Sequence, residues 1–498
     1  MSTAPTSTVI DDPAPRRFGA IRHLSSAGRR AFVGAFGGYG LDAFDYQVLP
    51  LTLSAITIYF RISAGEAGLL SAVTLVISAL GGLLAGIMAD RIGRTRTLMI
   101  TIGTYAVFTL LCGLAPNFEL LLTFRALQGL GFGGEWAVGA VLVAEYAAPR
   151  YRGRVAALVQ SSWAVGWAAA VIVYTIVFDL ASPNVAWRIM FMTGVLPALF
   201  VLYLRRGVVD APRGTNDVRA ANGDRAANGD RSTSTVPATN EVRGANEDRA
   251  TNKVRRANGR RGANEDRATN EDGGANGDPA TNEDWRANEV RAADGVRGRG
   301  LIVAIMRGGL GRTTFFAALL ATGVQGGYYT LATWLPLYLH TARHLNVVNT
   351  GGYLAFLISG AFVGYLFGGV LTDRVGRKAN VAVFAVAAAV LLVAYSLVPA
   401  GDNELLLVLG FPLGFAYSAI FSGFGAFLAE LYPAELRATG QGFTYNFGRA
   451  VGASFPAAVG FLAATFGIGG AMAFGAFGYA IAVIALVGLP ETRGRQLT

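Results

Sequence analysis

Asp42 and Asp45 stand three residues apart in the run GGYGLDAFDYQVLPLTL, Gly37 to Leu53, among apolar neighbours. That spacing puts both carboxylates on one face of a helix. Arg29 and Arg30 mark the polar edge of the run. At ~1.5 Å of rise per residue the two acids lie roughly 18 to 22 Å further along, near mid-bilayer. A charge facing lipid at that depth costs ~2.5–3.5 kcal/mol on insertion scales, so the face must look into a bundle or a watery cavity. A carboxyl group away from water resists ionising. That suits a group that takes a proton on one side of a membrane and releases it on the other. An acid pair that fixes helix packing through hydrogen bonds is the plainer reading.

Two buried cations invite carboxylates. Arg449, in YNFGRAVGASFP, lies about a dozen residues into an apolar stretch, with Asn446, Phe447, Gly448 and Ala450 around it and no acid within a turn. Its planar fork can grip a carboxylate bidentately, so it is a candidate substrate ligand. Arg125, about seven residues into its own stretch, could pair with Asp42 or Asp45 and tune proton release. Glu135 is open between a proton site and a structural partner; ten residues along one helix is ~15 Å, too far to reach Arg125 directly. A permanent structural salt bridge is the plain reading of each. Polar and aromatic residues accompany them: Gln325, Tyr328, Tyr329 and Trp334 in VQGGYYTLATWLP, Gln160 beside Ser161 and Trp163, Tyr417, and Tyr445 with Asn446. Such side chains hydrogen-bond a small polar solute or stack on a ring. They also serve as interfacial or packing residues.

The elements that must position these groups are membrane helices. Of 498 residues, 53% are hydrophobic and 15% charged, far too apolar for a soluble chain of this length. Twelve stretches approach the ~20 apolar residues that a bilayer requires. The first six lie near 31–60, 65–89, 97–115, 118–147, 153–180 and 185–205. The second six lie near 313–341, 350–372, 379–400, 403–431, 437–466 and 468–489. The expected fold is all-α, two six-helix bundles at 31–206 and 311–490. Tails of 1–30 and 491–498 and a polar loop of 207–310 complete the chain. That loop repeats units such as ANEDR and ATNED with few large apolar residues, a composition expected to stay disordered. Basic residues cluster in one set of short loops (Arg29, Arg30; Arg91, Arg94, Arg96; Arg374, Arg377, Lys378), which predicts that side and both termini to be cytoplasmic. The polar N-terminus is not a cleavable signal peptide. The single cysteine, Cys112, excludes a disulfide framework, and the three histidines lack metal-ligand spacing. No metal or cofactor is expected. No phosphate loop or nucleophile elbow stands out, which argues against an enzyme.

The two halves repeat each other. GIMADRIGRTR, Gly86 to Arg96, matches GVLTDRVGRKA, Gly369 to Ala379. Asp90 and Asp373 are 283 residues apart; Glu145 and Glu430, like Arg152 and Arg437, are 285 apart. Two motif pairs at nearly one offset argue for a duplicated six-helix unit. Gly86 and Gly369 would allow close helix approach. Gly93 and Gly376 suit a tight turn with positive φ. Asp90 and Asp373 can pair with a neighbouring helix or cap it.

These motifs resemble the major facilitator superfamily. RALQGLGFGGEW, with Arg125 and Gly129, looks like that family's fourth-helix motif, and PETRG, Pro490 to Gly494, is similar to the ending of sugar-porter members. The resemblance implies two bundles that rock around a central cavity. It also implies a conformational latch built from Gly86, Asp90, Arg91, Gly93, Arg94, Glu145, Arg152, Asp373, Arg374, Gly376, Arg377, Glu430 and Arg437. LDAFDYQVLP resembles the first helix of the aromatic-acid:proton and sialate or lactate:proton symporters, with Ala43 where those usually carry Gly. The reading that follows is a transporter of a small organic anion with protons in a bacterial-type inner membrane, acting as a monomer, with no nucleic-acid partner. A sugar porter and a non-transporting nutrient sensor are the competing readings.

Overall fold

Lipid offers no hydrogen-bond partners, so apolar stretches that cross it close their backbone bonds internally as helices. In a computed structural model of the chain, the structure describes residues 26–133, 152–196, 199 and 300–493, and these are helices joined by short turns. The first half contains α1 (Ser26–Phe60), α2 (Ala64–Ile92), α3 (Arg94–Gly113), α4 (Phe118–Phe132), α5 (Arg152–Leu180) and α6 (Pro183–Met192). The second begins with a single turn, Leu301–Ile305. It continues with α7 (Gly308–Leu337), α8 (Val347–Val375), α9 (Arg377–Ser396), α10 (Asn403–Glu430), α11 (Arg437–Gly452), α12 (Ser454–Met472) and α13 (Gly475–Ala485). Gly467, inside α12, has φ 67° and turns the chain there. The part of α12 before it continues α11, and the part after it leads into α13. These are the eleventh and twelfth stretches read from the sequence. Among the described residues seven helices are long and apolar enough to cross a bilayer.

The duplication is visible in the turns. Gly93 between α2 and α3 has φ 100°, and Gly376 between α8 and α9 has φ 105°, a region that a side chain would strain. At the opposite ends of these helices Arg61 and His344, again 283 residues apart, take φ 53° and 54°. Two residues later Ser63 and Asn346 cap α2 and α8 by accepting hydrogen bonds from the Glu66 and Asn349 backbones. One task is met from positions that do not correspond. Arg188 Nη1 donates to the Gly113 and Ala115 carbonyls after α3, each at 2.9 Å. Arg343 donates to Pro399 and Val398 after α9.

Within the halves α1 packs on α5, α2 and α3 on α4, α8 on α10, and α7 on α11 and α13. The halves meet where α2 lies on α11 and α12, α5 on α8, and α1 on α7. Gly360, Gly364 and Gly368 recur every fourth residue along α8, where a Cβ would run into the Phe411 and Phe415 carbonyls and the Ala419 backbone of α10. Small residues at that spacing let backbones approach closely. Gly369 lies against Ala157 of α5, as expected for a close contact. Its counterpart Gly86 does not: a Cβ there would meet nothing within 4 Å among the described residues. Among the described residues, close approach is therefore made at Gly369 and not at Gly86, which corrects the expectation there.

Candidate functional site

Asp45 is fully buried where α1 faces α3 and α4. One turn apart on α4, Arg125 and Gln128 are also buried, at 2% and 1% exposure. Arg125 Nη1 donates to Gln128 Oε1 at 2.6 Å. Gln128 Nε2 in turn donates to Asp45 Oδ2 and, at 2.6 Å, to Thr109 Oγ1 of α3. Arg125 and Asp45 are thus joined by hydrogen bonds through an amide rather than paired directly. Asp45 Oδ1 is buried without a hydrogen-bond partner among the described residues. Gln128 was not among the sequence candidates. Its signal was its place three residues after Arg125, on the same buried face.

Asp42 is buried too, at 2% exposure, but it keeps different company. It interacts electrostatically with Tyr39 and with Arg449 of α11. The two acids expected to act as one face therefore divide, Asp45 to the α3–α4 side and Asp42 within reach of α11. Arg449 is 4% exposed. Its guanidinium carbon is 5.0 Å from the Tyr445 ring centre and 5.3 Å from that of Phe132, cation–π distances that bridge the two halves. Arg449 Nε and Nη1 are buried and have no hydrogen-bond partner among the described residues.

Rings close the space around these charges. Tyr46 stacks on Phe132 at 5.7 Å and lies 6.0 Å from Tyr329 and 5.8 Å from Trp163. Trp163 Nε1 donates to the Tyr328 hydroxyl at 2.5 Å, and Tyr328 packs 5.3 Å from Tyr417. The Tyr329 hydroxyl donates to Gln325 Oε1 at 3.0 Å, while Gln325 Nε2 holds the Tyr445 carbonyl at 2.9 Å. Asn446 donates to Gly442 O at 2.9 Å, and its Oδ1 lies against Gly82 of α2. Of the expected substrate residues, Gln325, Tyr328, Tyr329, Tyr417 and Arg449 gather here. Two others face backbone: Trp334 Nε1 donates to Pro456 O at 3.0 Å beside the break between α11 and α12, and Gln160 Nε2 reaches Phe421 O at 3.5 Å.

A second cluster lies at the basic end of the second half. Arg377 forks onto Glu430, both contacts at 3.1 Å, and meets Asp373 at 3.0 Å. The Thr492 hydroxyl donates to Glu430 at 2.5 Å. Glu491 accepts from the Arg377 and Lys378 backbone N–H groups at 2.9 and 3.0 Å, and Lys378 Nζ caps the Leu489 carbonyl at 2.7 Å. Burial pushes the Glu491 carboxyl up, but the backbone donors of Arg377, Lys378, Arg493 and Thr492 outweigh it and hold the group below its ordinary value. Arg91 and Arg374 are exposed, and Arg437 opens α11. Asp90, Arg94 and Arg152 fall on α2, α3 and α5, with side chains outside the described set. Glu135 and Glu145 lie outside the described residues altogether.

Comparison with known proteins agrees with this architecture. A family model described as Major Facilitator Superfamily matches residues 35–455 and 354–497. A probable 4-methylmuconolactone transporter of Cupriavidus pinatubonensis is 33% identical over 94% of this chain and 91% of its own length. The cis,cis-muconate transport protein of Acinetobacter baylyi is 26% identical over 88% of each chain. Among solved structures, a D-xylose–proton symporter superposes with a TM-score of 0.65 at 17% identity, covering 95% of this chain and 100% of that one. With the paired turns, the two halves and the family match over most of its length, the chain belongs to the Major Facilitator Superfamily.

Proposed function

We propose that this protein is a secondary transporter that carries a small organic acid together with protons across a bacterial inner membrane. Arg449 carries the reading. It is buried, it is flanked by aromatic rings, and two of its nitrogens point at no protein acceptor among the described residues. A guanidinium so placed favours a ligand that brings a carboxylate, since buried N–H donors left without an acceptor are costly even with Asp42 in the field. The surrounding rings favour a flat cargo. The similar proteins named for 4-methylmuconolactone and cis,cis-muconate fit that chemistry, both compounds being small organic acids. Asp45, with one oxygen held and one without a hydrogen-bond partner among the described residues, is the proton site. The Arg377–Glu430–Thr492–Glu491 cluster latches one conformation by tying α9, α10 and the end of the chain together. The basic loops and both termini face the cytoplasm, and one chain suffices for transport.

Uptake of radiolabelled acids and of a neutral sugar, by cells with and without a protonophore, tests this reading. Accumulation of an unsaturated or aromatic carboxylate that collapses with protonophore is expected. Protonophore-sensitive accumulation of the sugar alone would replace the reading with a neutral-solute porter. A chain that accumulates nothing while its ligand still triggers a cellular response would be a sensor.

A further inference from the structure

We propose that Gln128 is the positioning residue for the proton step: it holds Asp45 by one oxygen, leaves the other to take the proton, and transmits the change to Arg125. The inference rests on the proton-coupled reading above. Gln128 is the only joint between the two charges among the described residues: it accepts from Arg125 and donates to Asp45 and Thr109, all of them buried. An amide has a fixed polarity. Its oxygen only accepts and its nitrogen only donates. With Oε1 taken by Arg125 and one N–H on Thr109, the second N–H must meet an acceptor. Asp45 Oδ2 remains an acceptor through the whole cycle only if the proton sits on Oδ1. Oδ1 is the buried oxygen without a hydrogen-bond partner among the described residues.

The interposed amide also explains how a buried acid can release its proton again. A direct Arg–Asp fork in a low-dielectric interior resists separation. Here the cation feels the acid's charge across space but is hydrogen-bonded to it through a neutral group, and the other ionisable groups within its reach are Cys112 and Tyr46. With Asp45 ionised, both outer bonds of the Arg125–Gln128–Asp45 chain are assisted by charge; with Asp45 protonated, only the Arg125 end is. The proton thus changes how firmly α1 is tied to α3 and α4. It reaches α2 as well, because the Thr74 hydroxyl donates to the Arg125 carbonyl at 3.0 Å.

Gln128→Met keeps length and burial but removes all three polar contacts. Gln128→Glu keeps the acceptor for Arg125 and loses the donor to Asp45. Each is reconstituted in vesicles beside Asp45→Asn, with radiolabelled cis,cis-muconate, or another acid that the wild type accumulates, as probe. Counterflow exchange and accumulation driven by an imposed pH gradient are then compared. A positioning role lowers accumulation by tenfold or more, the scale of one charge-assisted hydrogen bond, and exchange by less than about threefold. Gln128→Glu should resemble Gln128→Met, because the donor is what Asp45 needs. Normal accumulation in both Gln128 variants, with Asp45→Asn uncoupled, overturns the role of Gln128 alone. Equal loss of exchange and accumulation, with protein present in the vesicles, makes Gln128 a packing residue and also overturns it. Normal accumulation in Asp45→Asn overturns the proton reading itself.

Discussion

At the scale of single residues, Asp42 and Asp45 face different partners although they stand three residues apart on one helix. Asp45 is bound into α3 and α4, and Asp42 lies in the field of Arg449 across the boundary between halves. A cargo carboxylate that settles on Arg449 therefore arrives beside an acid. That arrangement makes the guanidinium's shape matter as much as its charge. Arg449→Lys keeps the charge and loses the fork, so apparent affinity should weaken. Arg449→Ala should raise the Kd for the acid by about 10- to 150-fold, equivalent to ~1.5–3 kcal/mol for one charged hydrogen bond. The amide analogue of the cargo should bind wild type and Arg449→Ala almost equally. Equal acid binding by the alanine variant, measured by scintillation proximity, would remove the carboxylate clamp. Asp45, Arg125 and Arg449 were legible in the sequence because a charge inside an apolar stretch is costly and so calls for a reason. Gln128 was not, since an amide in such a stretch carries no comparable penalty, and Trp334 looked the same whether its indole faced a cavity or the Pro456 carbonyl.

At the scale of elements, two contacts can be tested without any substrate. The Gly360–Gly364–Gly368 stripe brings α8 against α10. Gly364→Ala should lower the Tm of the purified protein, at an overpacking cost of about 1–3 kcal/mol. Gly352→Ala, on the same helix with nothing within 4 Å of the added carbon, should hold or raise it, because alanine favours a helix by about 1 kcal/mol over glycine. An equal response at both positions would mean that propensity rather than contact governs. The second contact is the Glu491 clasp. Its carboxyl is held below the ordinary value in the folded protein, so its contribution is present above the unfolded value of about 4.3 and is lost as pH falls through the lower folded one. The Tm difference between wild type and Glu491→Gln should be full at neutral pH and fade below about pH 4. A difference that persists unchanged in acid would assign the clasp to something other than the charge. The turns at Gly93 and Gly376 could be read in advance because positive φ leaves a glycine in the sequence. The clasp could not, because Glu491 and Arg377 are 114 residues apart and only the folded chain joins them.

At the scale of the whole molecule, the repeated halves and the run of apolar stretches were legible because duplication leaves motifs at one offset and a bilayer sets a minimum length. Which charges face one another was not, since Arg449 and Asp42 interact only across the boundary between the halves. The charge-balanced repeats between the halves have the composition of a linker, and length in such a linker costs little. Deleting about residues 215–295 should leave uptake within about twofold of wild type at equal membrane abundance; uptake at background would give the segment a part in transport. The central claim is that one solute carries protons with it. Its most direct test uses reconstituted vesicles loaded with a pH-sensitive dye, with no pH difference and an inward gradient of a transported acid. The lumen should acidify as labelled acid enters, and Asp45→Asn should abolish the acidification. Entry of labelled acid through the wild type with no change in lumenal pH would contradict that claim.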